Sequence, residues 1–135
     1  MEDVADLRAR AEREPVALFL GMSLVDLAQG YARVRMQLRP EHLNFNGMVF
    51  GGIIVALADQ AFAYASNSAV RPSIASQFNV HFLRGPKVGD ELVAECRVLK
   101  SGARVGVSEV EVVDQEGQLV AKATGTTIPT GGARS

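Results

Sequence analysis

Residues 51–68 read GGIIVALADQAFAYASNS, a stretch whose only ionisable side chains are Asp59 and Tyr64. At 100° per residue, Ile53, Leu57, Ala61 and Tyr64 form one stripe of a helix, with Ile54, Ala58, Phe62 and Ala65 beside it. The opposite side still carries Val55, Ala56 and Ala63. A helix that is apolar almost all the way round is buried from more than one direction.

The flanking sequence changes period. Residues 73–83, 91–100, 103–113 and 118–128 alternate with period two. Turn sequences separate them: Gly85-Pro86-Lys87-Val88-Gly89-Asp90, then Ser101-Gly102, then Asp114-Gln115-Glu116-Gly117. Upstream, 22–27 and 31–38 flank a turn at Ala28-Gln29-Gly30, and Ala32, Val34, Met36 and Leu38 oppose Tyr31, Arg33, Arg35 and Gln37. Residues 40–50 form a loop with turn chemistry from Asn44, Asn46 and Gly47. Residues 3–13 place Val4, Leu7 and Ala11 on one helical stripe that Pro15 stops, and a short apolar segment, 16–20, ends at Gly21. The fold class is therefore α+β. One long helix, wrapped by a single curved antiparallel sheet of about six strands, is the economical arrangement, with a partner chain on the remaining helix face.

At 135 residues the chain reads as one domain, with a lead-in helix within 1–15 and a Gly-rich flexible tail at 129–135. Fourteen Lys and Arg against fifteen Asp and Glu leave a formal charge of -1, which argues against a nucleic-acid binder. A single cysteine, Cys96, and two well-separated histidines offer neither an internal disulfide nor a zinc cluster, so no metal is expected. The first residues lack the apolar core of a secretory signal. The least polar stretch, 43–70, is interrupted by Asn44, Asn46, glycines and Asp59, so no membrane span is expected and the protein reads as cytoplasmic.

Chemistry concentrates at the long helix. An aspartate two turns into an apolar helix has poor propensity and is costly to bury as an anion. Asp59 either sits on a partly wet face, bonds to nearby backbone or serine, or serves a site. Its helical position lies near Val55, Ala63 and Ser66, away from the sheet-facing stripe. At the helix entry, Phe50-Gly51-Gly52 either makes a tight turn or offers free N–H groups at the positive end of the helix, able to polarise a carbonyl. Eight residues of helix separate Gly51 from Asp59, about 12 Å at 1.5 Å per residue. That exceeds the reach of one carbonyl, so a site shared between two chains is the consistent version. His42 reads as an exposed loop residue, His81 as structural or interfacial, and Cys96 as strand core.

Residues 42–52, HLNFNGMVFGG, followed by 57–68, LADQAFAYASNS, resemble the PaaI-like branch of the hotdog-fold acyl-CoA thioesterases. Phe78-Asn79-Val80-His81-Phe82-Leu83-Arg84 and Val88-Gly89-Asp90 extend the similarity, which runs from about residue 19 to 128. The resemblance implies a homodimer, paired again into a homotetramer, with active sites at the dimer interface and no cofactor. It implies Asp59 as the catalytic carboxylate, acting as general base or nucleophile. It further implies the Gly51 N–H of the opposite chain as the donor to the thioester carbonyl, and Asn44 as a helper that positions the carboxylate or water. Phe50 and Gly52 would line the substrate. The family's helper Ser or Thr on the strand after the helix falls near Ala75, with Ser73 and Ser76 as neighbours. A CoA substrate brings phosphates, for which Arg84, Lys87, Lys100 and Arg104 are basic candidates near turns.

One position departs from the family pattern. Phe50 stands where the family usually carries histidine, and phenylalanine cannot replace its hydrogen bond. The sequence therefore carries two readings: an acyl-CoA thioesterase, or a non-catalytic acyl-CoA binding module in which Phe50 has impaired turnover. A pure binder of apolar acyl chains has no need of a carboxylate at Asp59, which favours the enzyme.

Overall fold

The structure, a computed structural model, describes residues 4–69 and 73–130. Of the expected flexible tail, 131–135 lie outside the described residues, as do 1–3 of the lead-in segment. The chain runs α1 (Val4–Ala11), α2 (Pro15–Leu20), β1 (Met22–Ala28), β2 (Tyr31–Gln37), a single 3-10 turn (Pro40–His42), α3 (Gly51–Ala69), β3 (Ser73–Phe82), β4 (Glu91–Ser101), β5 (Gly106–Val113) and β6 (Leu119–Pro129). All six strands form one antiparallel sheet in the order β1-β2-β4-β5-β6-β3.

Register explains the core. Ala32, Val34 and Met36 of β2 pair with Cys96, Ala94 and Leu92 of β4. Cys96 and Ala94 pair in turn with Val110 and Val112 of β5, which oppose Ala123 and Ala121 of β6. Each of these side chains is at most 1% exposed. They make the floor on which Leu57, Ala58, Ala61 and Ala65 of α3 lie fully buried. Because small residues line that floor, the helix can approach closely, and Phe62 fills the remaining depth. Its ring stacks on Phe78 of β3 at 4.9 Å between centroids. Opposite it, a β-carbon on Gly125 would stand 2.5 Å from Cζ of Phe62, so only glycine fits beneath the ring.

Two local boundaries differ from the periodicity. α1 already ends at Ala11, and Pro15 opens α2, where a first-turn proline loses no hydrogen bond; Gly21, at φ 81°, then closes α2 through its N–H to Ala17 O. The alternation from 103 begins too early, because Gly102 N–H bonds to Val105 O at 3.0 Å and β5 starts at Gly106. Among the described residues no helix is long and apolar enough to cross a membrane.

The helix face opposite the sheet is the part that the fold leaves open. Gly52, Asp59 and Ala63 are exposed there, with Val55, Ala56 and Asn67 half-buried. β3, the edge strand next to β6, is exposed or half-buried along its whole length.

Candidate active site

The segment leading into α3 is a closed loop with a hydrogen-bonded stem. Phe50 N–H donates to His42 O at 2.9 Å, Leu43 bridges Val49, and Asn44 N–H donates to Met48 O at 2.7 Å. Inside the loop, Oδ1 of Asn44 accepts the N–H groups of Asn46 at 2.9 Å and Met48 at 3.1 Å, while Gly47 takes φ 75°. Asn44 thus organises the loop, and its Nδ2 amino group makes no hydrogen bond to the described residues. His42, read as exposed, is buried to 2%. Its ring turns inward because Nδ1 accepts Arg39 N–H at 3.0 Å and Nε2 meets Leu20 O at 3.2 Å.

This stem delivers the chain to the first turn of α3. The N–H groups of Gly51 and Gly52 make no hydrogen bond to the described residues, as the first donors of a helix do not. Gly51 lines a cleft of about 830 Å³ bounded also by Leu43, Met48, Ile54, Phe82 and the 83–88 turn. Arg84 and Lys87 stand on that turn and supply positive charge beside the helix start. Free donors, the positive end of a helix dipole and two cations together suit a ligand with an acyl oxygen and a phosphate.

Asp59 is not in this cleft. It stands on the outer face of α3, between Val55 and Ala63, where the apolar helix face around it raises its pKa by desolvation. The carboxylate is therefore easier to protonate than an ordinary aspartate. In chemical terms it is a carboxylate on an open strip of the helix surface.

The remaining sequence candidates separate. Arg84 shares the cleft with Gly51, whereas Lys100 lies beside Gly102, Gly106 and Ser66, at the other end of α3. Arg104 is exposed in the β4–β5 turn. Ser76 is exposed at the bulge between Ala75 and Gln77, with its hydroxyl 3.3 Å from Thr126 O. Phe50 is 54% exposed and lies against Gly52. Cys96 is fully buried, and burial pushes its thiol up to about 12, which makes it an inert core residue. His81 is exposed on β3.

A polar network beside the helix was not anticipated from sequence. Tyr64 donates its hydroxyl to Glu14, and Nε2 of Gln60 donates to Oε1 of Glu14 at 2.7 Å and to the Tyr64 hydroxyl at 2.6 Å. Burial and the neighbouring carboxylate both raise the Tyr64 pKa. Gln60 and Tyr64 are spaced i, i+4 on one helix face, and a buried tyrosine hydroxyl needs a partner. That spacing was the available signal; Glu14, 46 and 50 residues away from them, could not be read from it.

Comparison with known proteins follows the same geometry. The sequence profile of the Thioesterase superfamily matches residues 46–121, which takes in the loop, the helix and the strands that carry the cleft. The chain belongs to the thioesterase superfamily. Membership makes it a thioester hydrolase with a hotdog-type fold, in which the sheet is the bun and α3 the filling. It is 36% identical over 124 residues to the acyl-coenzyme A thioesterase PaaI of Escherichia coli strain K12, an alignment covering 92% of this chain and 89% of that protein. The solved structure of the E. coli PaaI protein, from the phenylacetic acid degradation operon, superposes with a TM-score of 0.87 at 33% identity, covering 96% and 97% of the two chains. A Streptococcus mutans protein solved bound to acetyl CoA superposes at 0.78 with 32% identity, over 82% of this chain and 89% of that one. These similarities bear out the expected family and fold.

Proposed function

We propose that this superfamily member hydrolyses acyl-CoA thioesters at a site shared by two protomers, releasing a free acid and CoA. The observation that carries the reading is the pairing of a lone carboxylate, Asp59 on the open strip of an apolar helix, with free donors at the start of the same helix about 12 Å away. A two-fold pairing of α3 strips brings the carboxylate of one chain toward the helix start of the other. The CoA-bound S. mutans neighbour and the acyl-CoA thioesterase relative support the substrate class.

The reaction then runs as follows. The Gly51 N–H of the partner subunit holds the thioester carbonyl oxygen, and charge grows on that oxygen as the carbonyl carbon is attacked. Asp59, as general base, takes a proton from water while the water oxygen bonds to the carbon. Collapse of the tetrahedral intermediate breaks the C–S bond, and the thiolate leaves as CoA and takes up a proton. If the carboxylate attacks directly, a mixed anhydride forms with loss of the thiolate, and water cleaves it in a second step. Asn44 fixes the loop that presents the cleft. Arg84 of one chain, with Lys100 and Arg104 at the opposite helix end, are candidates for the CoA phosphates. Gly52, Phe50 and Ser76 complete the substrate-facing set. A homodimer, paired into a homotetramer and working in the cytoplasm, is part of the same reading.

Thiol release from short, medium, long-chain and aryl acyl-CoAs, with wild type and Asp59→Asn side by side, tests it. Turnover by the wild type that falls by about 10³-fold or more in the variant is expected for loss of a catalytic base or nucleophile. Tight acyl-CoA binding without turnover by the wild type would instead return the binding-module reading, with Phe50 as its cause.

A further inference from the structure

We propose that His42 is the positioning residue that fixes the Gly51 N–H; this rests on the reading that Gly51 supplies the carbonyl donor. His42 is 2% exposed and joins three separate pieces of backbone. Nδ1 accepts the N–H of Arg39 at 3.0 Å, which leaves Nε2 as the ring nitrogen that carries a proton, with Nη2 of Arg39 at 3.4 Å from it. Nε2–H then donates to Leu20 O at 3.2 Å, at the end of α2. The carbonyl of the same residue accepts Phe50 N–H at 2.9 Å. Next in the chain, Phe50 O accepts Ile53 N–H at 2.9 Å.

That last carbonyl and the Gly51 N–H belong to one planar trans peptide, so orienting one orients the other in the opposite direction. The direction of the Gly51 donor is thus set by two hydrogen bonds to Phe50, and one of them hangs from His42. His42 is in turn tied to α2, 22 residues earlier in the chain. The Phe50 side chain has no hydrogen-bonding group with which to brace the peptide, so the brace falls to His42.

Three variants separate the role. In His42→Gln the amide can reach Leu20 O and keep the tie to α2; in His42→Asn the shorter side chain keeps only the local bond to Arg39 N–H; His42→Ala loses both. For an acyl-CoA that the wild type hydrolyses, kcat of the Gln variant stays within about threefold. The Asn and Ala variants lose about 10- to 100-fold in kcat, with KM within about threefold, because the donor is misplaced and not removed. Amide hydrogen exchange, read without substrate, speeds up at Phe50 and Ile53, whose N–H groups bond to His42 O and Phe50 O, in the Asn variant and not in the Gln variant. Wild-type kcat in the Asn variant, or unchanged exchange at Phe50 and Ile53, would overturn the proposal. Loss of protection spread through β2 and α3 alike would also overturn it, since that marks a general structural role. A wild type that turns over no thioester would sink the hydrolase reading, while the exchange data alone would still decide whether His42 holds the donor.

Discussion

The ring of Phe50 lies so close over Gly52 that a β-carbon on Gly52 would stand 2.5 Å from Cε2. The two residues share the space at the mouth of α3, beside the free N–H groups of the first turn. The ring is half-exposed and apolar, so it fills this corner without supporting it by hydrogen bonding. Phe50→His places a smaller ring with a donor in the same corner. We expect kcat to rise about tenfold, equivalent to about 1.4 kcal/mol of barrier, with KM little changed. Steady-state kinetics on the best acyl-CoA checks this; a fall in kcat would mean a pocket adapted to phenylalanine.

Desolvation raises the Asp59 pKa, and that has a sign for both activity and stability. As the base, Asp59 must be ionised, so kcat/KM falls in acid with an apparent pKa above the usual aspartate value of about 3.9. In the fold the carboxyl holds its proton to higher pH than in the unfolded chain. Folding stability therefore drops as pH rises from the unfolded value through the folded one, and stays lower above it. Asp59→Asn removes that penalty. Its Tm should exceed that of the wild type at pH 7 and converge with it near about pH 3, below the ordinary aspartate value; melts at the two pH values check this.

Gly125→Ala tests the packing that sets the depth of α3. The added methyl would meet Cζ of Phe62 at 2.5 Å, and Phe62 is itself held in a stack with Phe78. With Phe62 only 1% exposed, the ring has no solvent to swing into. Urea unfolding should show a loss of about 1–3 kcal/mol, the range of an overpacked core.

Much of this was legible because it is periodic. The alternation at Ala32, Val34, Met36 and Leu38 marked the buried face of β2, and the unbroken apolar surface of residues 51–68 marked α3. The resemblance carried by residues 42–52 and 57–68 then implied roles for Asp59 and Gly51. What the sequence hid depends on contacts between distant residues. His42 looked like a loop histidine because its partner, Leu20 O, is a backbone atom that no side-chain pattern reveals. Glu14 carries no local signal, because Tyr64 and Gln60 draw it to α3 across a sequence gap that local pattern does not span. The place of β3 at the sheet edge follows from strand order, which alternation alone does not encode.

The most direct test of a site shared between chains is complementation. Asp59→Asn lacks the carboxylate, and Gly51→Pro lacks the N–H while keeping a residue suited to a first helical turn. A β-carbon at Gly51 meets nothing closer than the Phe82 ring at 3.4 Å, an ordinary van der Waals contact. Each variant alone should be inactive. Co-expressed at equal levels, they pair at random, and each mixed dimer rebuilds one of its two sites from the intact Asp59 of one chain and the intact Gly51 of the other. The account predicts about a quarter of wild-type thioester hydrolysis in the mixture. A mixture as inactive as its separate parts, with mixed dimers shown to be present, would contradict it.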